Sequence, residues 1–188
     1  SRLLVALDIT EEVVSEAAEL GCQLIVSHHP VIFRPARSIT DETTTGRILL
    51  ALAEGGISAI CAHTNLDAAV GGVNDALAER LGLEIQGVLE PSGTDGQGRT
   101  IGIGRFGELP EAVDLPTFAG QVKERLGANG ARYVDTGRPV RRVAVGGGSC
   151  GDMLELAAAQ GCDTFVTADV KYDQFLTAKA MGLGIIDA

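Results

Sequence analysis

The sequence predicts an α/β fold made of two similar three-layer lobes, in which helices cover a sheet on both faces. Apolar runs of four to six residues alternate with segments of helical period, which is typical of βαβ units in a mostly parallel sheet. A shift of 140 positions aligns the chain from Arg2 onward with the chain from Arg142 onward without a gap. We interpret this similarity as an internal repeat, although any two βαβ units can share such a pattern.

The first lobe is expected to cover residues 1–90. Thr10 is a predicted N-cap and Gly21 a predicted left-handed residue at a helix end, so a helix should lie between them. Two further helices should end at Gly55 and Gly82. The predicted elements are strands over residues 3–7, 23–27 and 57–62 and helices over residues 11–20, 46–54 and 73–81.

The second lobe is expected to cover residues 91–188 and to begin in the turn-rich stretch "PSGTDGQG". The repeat places a βαβ unit from Arg142 onward, and the other predicted elements are strands over 101–106, 131–135 and 184–188 and a helix over 115–128. Because predicted strands stand at both ends of the chain, we expect it to be an ordered part of a longer protein.

Composition narrows the class of protein. The chain has 15 basic and 25 acidic residues, and its net charge of −10 argues against binding to nucleic acid. The apolar runs are far shorter than the roughly 20 residues that cross a bilayer, and no leader pattern opens the chain. The four cysteines form no CxxC pair, which favours reduced thiols over a cysteine-based zinc site. We therefore expect a cytoplasmic protein that does not contact membranes.

Polar side chains follow the predicted strands, at the edge where α/β sheets bind ligands. His28 and His29 follow the second strand in the stretch "VSHHP", and His63 follows the third. Asp8 and Asp169 close two more strands, and Asp67 lies four residues after His63 in "AHTNLDAA".

The adjacent histidines suggest two metal ions. Neighbouring residues of an extended segment point in opposite directions, so His28 and His29 should not chelate one ion together but can reach two neighbouring ones. Imidazole nitrogens and carboxylate oxygens suit zinc, manganese or iron, and a carboxylate can bridge a pair of ions. The alternative is structural: one histidine is buried and hydrogen-bonded, the other lies at the surface, and Asn65 and Asp67 form an Asx turn. Spacing alone leaves both interpretations open.

Two glycine-rich stretches are candidate phosphate-binding loops. Residues 102–107 fit G-x-G-x-x-G, but Glu108-Leu109-Pro110 follows where a helix should begin, so we predict no dinucleotide site there. The stretch "VGGGSCGD", residues 145–152, follows a strand and opens a helix. Its amides could bind an anion, and a simple tight turn is the alternative.

Two longer motifs carry a family resemblance. "LVALDITEEVVSEAAELGCQLIVSHHPVIFRP" and "AHTNLDAAVGGVNDALAERLGL" resemble the GTP cyclohydrolase 1 type 2 homologues, or NGG-interacting-factor-like proteins, and the match extends over the chain. The resemblance implies two divalent metal ions (zinc, manganese or iron) bound by His28, His29 and Asp67. It places His63 near the metals, beyond the ligands or facing the substrate, and it implies a homohexamer.

The resemblance also implies ligands outside this chain. In the family, a histidine and a glutamate of a DAGHxxTE motif complete the site, and Asp187-Ala188 matches only the first two letters. The second lobe is therefore expected to be truncated before that motif. The stretch "TADVKYD", residues 167–173, departs from the family's TGD and following histidine, although Asp169 matches.

The resemblance further implies a metal-dependent hydrolase. We predict the dinuclear metal centre in a cleft between the two lobes, where two cations lower the pKa of water and favour attack on carbon or phosphorus. His63 and Asp8 are the candidate catalytic residues, as groups that handle protons. The expected substrate is a small molecule: GTP, another nucleotide or another phosphorylated compound. The alternative is a non-enzymatic metal-binding regulatory or scaffold protein that acts through protein partners.

Overall fold

The computed structural model describes residues 2–188, which form two compact units that divide between Leu66 and Asp67. Both units combine strands and helices, which confirms the predicted α/β class. In chain order the elements are β1 (Leu3–Ala6), α1 (Glu11–Glu19), β2 (Leu24–Ser27), α2 (Thr44–Glu54), β3 (Ser58–Cys61), α3 (Thr64–Ala68), α4 (Val73–Leu81), β4 (Glu84–Thr94), β5 (Thr100–Val113), α5 (Leu115–Leu126), β6 (Arg132–Val134), β7 (Val140–Val145), a 3₁₀ turn (Gly151–Met153), α6 (Leu154–Ala159), β8 (Thr164–Thr167), α7 (Tyr172–Met181) and β9 (Gly184–Asp187).

The first unit contains a parallel sheet in the order β1-β2-β3, as far as residues 2–66 are described. Helices α1 and α2 cover one face of it, and Val14, Ile25 and Leu52 are buried in the core between them. Thr10 caps α1 as predicted, because its hydroxyl accepts a hydrogen bond from the amide of Val13. Since all three strands run parallel, their carboxyl ends lie at one edge of the sheet.

The second unit contains a mixed sheet in the order β4-β5-β7-β8-β9-β6. Strands β7, β8 and β9 run parallel, whereas β5 and β6 pair antiparallel to their neighbours β7 and β9. Alternate residues of the central strands belong to different cores: Val145 and Val166 pack with α4 and α5, and Ala144 and Phe165 pack with α6. This unit therefore has helices on both faces of its sheet.

A βαβ order occurs in each unit. Strand β8 follows β2 by 140 positions, which is the offset that aligns the two stretches of sequence. The duplication itself, the lobe boundary near residue 90 and a cleft between lobes stay predictions.

The structure corrects the sequence prediction around residues 84–113. Strand β4 was not predicted, and part of the predicted loop belongs to it; β5 is 14 residues long instead of the six predicted. A Cβ atom at Gly107 would lie 2.2 Å from the carbonyl oxygen of Glu84, and one at Gly102 would lie 2.1 Å from that of Glu90. The G-x-G-x-x-G glycines therefore allow two paired strands to approach closely, and they lie inside a strand rather than in a loop before a helix.

The lengths of the helices can be compared with the prediction that the chain does not cross a membrane. Among residues 2–188, no helix combines the length and the apolar character that a bilayer-spanning segment needs.

The buried thiol of Cys162 should react slowly in the native protein. Burial raises its pKa to about 11, with Asp163 adding to the shift and Arg142 opposing it. At pH 8 only about one thiol in a thousand is then the reactive thiolate, against about one in four for an ordinary cysteine. We expect iodoacetamide to label Cys162 more than about a hundredfold faster in urea than in buffer, as measured by peptide mass spectrometry. Equal labelling rates would contradict this.

Candidate metal centre

The hydrogen-bond ladder of the first sheet continues beyond the ends of its strands. The amide of His29 donates to the carbonyl of Leu7 at 2.9 Å, and the amide of Ala62 donates to the carbonyl of Ser27 at 2.8 Å. The buried hydroxyl of Ser27 donates to the carbonyl of His29 at 2.8 Å. These bonds fix the backbone at the point where the histidine side chains leave the sheet.

The three histidines of the sequence form one cluster at this edge. The ring centroids of His28 and His29 lie 5.0 Å apart, those of His28 and His63 also 5.0 Å, and those of His29 and His63 5.7 Å. One ring nitrogen from each histidine lies within 4.8 Å of those from the other two, and all three side chains are half-buried. The cluster could therefore hold a metal ion. This corrects the expectation that His28 and His29 point too far apart to share one ion, because both rings lie at the same edge of the sheet.

The orientation of His28 is set by the backbone of the neighbouring strand. Its Nδ1 lies 3.1 Å from the carbonyl oxygen of Ala62. A carbonyl oxygen can only accept a hydrogen bond, so Nδ1 must carry the hydrogen, and Nε2 of the neutral ring then carries the lone pair. Histidines that bind metals have this arrangement, in which the other ring nitrogen donates to a carbonyl or a carboxylate.

The orientation of His29 is set by a carboxylate. Its Nδ1 lies 2.7 Å from Oδ1 of Asp8, which follows β1. An ionised carboxylate also only accepts hydrogen bonds, so this contact favours the same tautomer, with the lone pair on Nε2. The sequence prediction gave Asp8 a role in proton handling, and the structure places it on the side of His29 that carries Nδ1.

An aromatic side chain that the sequence analysis did not single out lies next to His63. The Phe33 ring is 76% exposed and meets the His63 ring edge-on, with 6.4 Å between the centroids. The signal for it in the sequence is slight: an aromatic residue four positions after the paired histidines.

Two of the predicted carboxylates, Asp67 and Asp169, lie in the second unit. Asp67 is on α3, so the "TNLD" stretch forms a short helix. Asp169 follows β8 with a left-handed backbone, at φ 53°. The structure thus brings together the three histidines and Asp8 within the first unit, and the roles of Asp67 and Asp169 stay predictions.

The glycine-rich stretch after β7 is held by hydrogen bonds to other parts of the second unit. Three of its amides already have acceptors within the second unit, which leaves them unavailable to an anion. They are the amides of Gly146, which donates to the Val166 carbonyl at 2.9 Å, of Gly147, which donates to Oδ1 of Asn74 at 2.8 Å, and of Cys150, which donates to Oγ1 of Thr167 at 3.0 Å.

Fold and site together define an α/β protein with a histidine cluster suited to a metal ion. The family model Duf34/NIF3 (NGG1p interacting factor 3) matches residues 1–188, and the chain belongs to this family. This confirms the resemblance found in the sequence.

Individual relatives agree with this assignment. A GTP cyclohydrolase 1 type 2 homolog of Clostridium perfringens is 37% identical over 188 residues, which are 100% of this chain and 71% of the relative. Its counterpart in Streptomyces coelicolor is 38% identical over 192 residues, with 100% of this chain and 67% of the relative covered. The crystal structure of a Bacillus cereus protein related to NIF3 superposes with a TM-score of 0.89 at 30% identity, over 99% of this chain and 77% of that one.

Proposed function

We propose that the protein is a metal-dependent hydrolase with a dinuclear centre, in which His28, His29 and Asp67 bind two divalent metal ions. One observation carries the proposal. His28 and His29 each have Nδ1 against a group that only accepts hydrogen bonds, so both rings can present the Nε2 lone pair to a cation. The part of Asp67 rests on the "HTNLD" motif alone.

The chemistry of the donors fits zinc, manganese or iron. Imidazole nitrogens are good ligands for these borderline ions, and a carboxylate can join two of them. The half-buried position of the histidines reduces competition from water while leaving the cluster open to a small molecule.

Divalent cations supply Lewis acidity and activate water as a nucleophile at neutral pH. The residues of this chain then have separate tasks. Asp8 orients His29, and His63 can take up or release a proton beside the ligands. Phe33 offers an exposed apolar face next to His63, against which a planar substrate could stack.

The substrate that we propose first is GTP, because the relatives are named GTP cyclohydrolase 1 type 2 homologs. Another nucleotide or phosphorylated small molecule is the wider class. From the resemblance and the composition we extend the proposal to a homohexamer in the cytoplasm, with its metal site in a cleft between lobes.

The family description supports a second candidate function. NGG1p interacting factor is a name for a protein that acts through a partner, so this chain could belong to a metal-binding regulatory or scaffold protein. Its metal ions would then stabilise a binding surface instead of activating water.

A test of turnover separates the two functions. Full-length protein is stripped of metal and reloaded with zinc, manganese or iron, and product formation from GTP and a panel of nucleotides is followed by chromatography. We expect turnover only in loaded samples, and we expect His63→Ala to lower kcat about a hundredfold or more while the protein keeps its metal.

Asp41→Ala is the control, since it removes an exposed ionisable side chain of the first unit outside the cluster. It should leave turnover unchanged. Protein that binds metal but converts nothing in the panel would contradict the hydrolase and favour the scaffold.

A further inference from the structure

A fully buried amide side chain holds the backbone of Asp67. Asn74, in the first turn of α4, is 0% exposed. Its Nδ2 donates to the carbonyl oxygen of Asp67 at 2.9 Å, and its Oδ1 accepts from the amide of Gly147 at 2.8 Å. Asn74 therefore joins the segment that carries Asp67 to the glycine-rich stretch after β7.

Two more side chains hold the residues that follow Asp67. Arg105, also buried, donates from Nη2 to the carbonyl of Ala69 at 3.1 Å, and the carboxylate of Asp75 accepts from the amide of Gly71. Arg105 and Asp75 form an ion pair with each other. Residues 67–71 are thus tied to the second unit at three points of their backbone.

We propose that Asn74 is a positioning residue for the Asp67 carboxylate, an inference that rests on the proposed role of Asp67 as a metal ligand. Asparagine is a poor helix former, and a buried amide must satisfy its hydrogen bonds or it destabilises the fold. Asn74 therefore contributes to stability, because it satisfies two backbone groups that an apolar residue would leave without partners. The same two bonds fix the backbone from which the Asp67 side chain projects.

A held backbone matters for a ligand because metal affinity depends on ligand placement to within about 0.5 Å. Groups that orient ligands without touching the metal typically account for about ten- to hundredfold in affinity. Loss of the Asn74 side chain should lower the metal affinity by a factor in this range. The loss should appear only in protein that still has the Asp67 carboxylate.

A double-mutant cycle tests this. Zinc affinity is measured on full-length protein by competition with a chelator, for the wild type, Asp67→Ala, Asn74→Ala and the double variant. We expect Asn74→Ala to weaken zinc binding about ten- to hundredfold. In the Asp67→Ala background the same change should have no further effect.

Gln174→Ala is the matched control. Gln174 is a second buried amide of the same unit; its Oε1 accepts from the amide of Lys171 and its Nε2 donates to Asp152, both at 2.8–2.9 Å. We expect the control to lower the stability of the fold and to leave zinc affinity unchanged.

The failures can be told apart. If Asp67→Ala leaves zinc affinity unchanged, the ligand role of Asp67 fails and this inference fails with it. The positioning role alone is overturned by either of two results, each obtained while Asp67→Ala does weaken zinc binding. In the first, Asn74→Ala weakens zinc binding no more than Gln174→Ala does. In the second, Asn74→Ala weakens zinc binding as much in the Asp67→Ala background as in the wild type.

A second variant covers the case in which Asn74→Ala does not fold. Asn74→Ser keeps a small polar group without burying a charge, and its side chain is too short to join the Asp67 carbonyl to the Gly147 amide. Zinc binding about ten- to hundredfold weaker than in the wild type supports the positioning role. Equal or tighter binding overturns it.

Discussion

Replacement of Arg105 by methionine is expected to lower the free energy of unfolding of the second unit by about 3–5 kcal/mol. The Arg105 side chain is 3% exposed and is paired with Asp75. Its Nη1 also donates to the carbonyls of Gly102 and Gly104, both at 2.8 Å. Methionine fills similar space but leaves the Asp75 carboxylate, whose side chain is 13% exposed, without its counter-charge and several carbonyls without a donor. Urea unfolding followed by circular dichroism measures the change.

Two controls show whether buried charge is the cause. Arg99→Ala breaks the i,i+4 pair with Asp95, in which Arg99 is 53% exposed, and should cost less than about 1 kcal/mol. Adding Asp75→Asn to Arg105→Met should recover part of the loss, because no unpaired charge then remains. A cost for Arg105→Met as small as that for Arg99→Ala would show that the buried pair contributes little.

Replacement of His28 by alanine is expected to weaken binding of at least one metal ion by more than about a hundredfold, beyond the range seen when only an orienting contact is lost. The change removes a proposed ligand whose tautomer is fixed by the Ala62 carbonyl. Calorimetric titration of stripped full-length protein with zinc gives both the stoichiometry and the affinity.

The zinc affinities of two carboxylate variants are compared with that of His28→Ala. Asp8→Ala removes the contact that orients His29 and keeps all ligands, so a loss of about ten- to hundredfold is expected. Asp41→Ala should bind zinc as the wild type does. His28→Ala with wild-type stoichiometry and affinity would exclude His28 as a ligand.

The gathering of the histidines could be predicted from the sequence because it depends on strand order and direction. His28, His29 and His63 each follow an apolar run, and parallel strands bring their carboxyl ends to one edge. Local signals were also sufficient to predict α4, which runs from Val73 to Leu81. Gly82 ends this helix in the left-handed conformation, and a glycine at that position is visible in the sequence.

Other features depend on pairings that leave no local trace. The acceptor for His28 is a backbone carbonyl, and every residue has one, so Ala62 carries no signal of its role. Asn74 and Gly147 stand 73 positions apart, and only the folded second unit brings them together. Strand β4 was missed because glycine, proline and exposed polar residues hide its alternation, and pairing with β5 rather than propensity makes it a strand.

If the histidine cluster is part of a dinuclear metal centre, anomalous diffraction will locate both ions. The data are recorded on both sides of the absorption edge of the metal, from crystals of the metal-loaded full-length protein. We expect two peaks, one within bonding distance of Nε2 of His28 and the other within bonding distance of Nε2 of His29. A map without anomalous density at these nitrogens, from crystals shown by fluorescence to contain the metal, would contradict it.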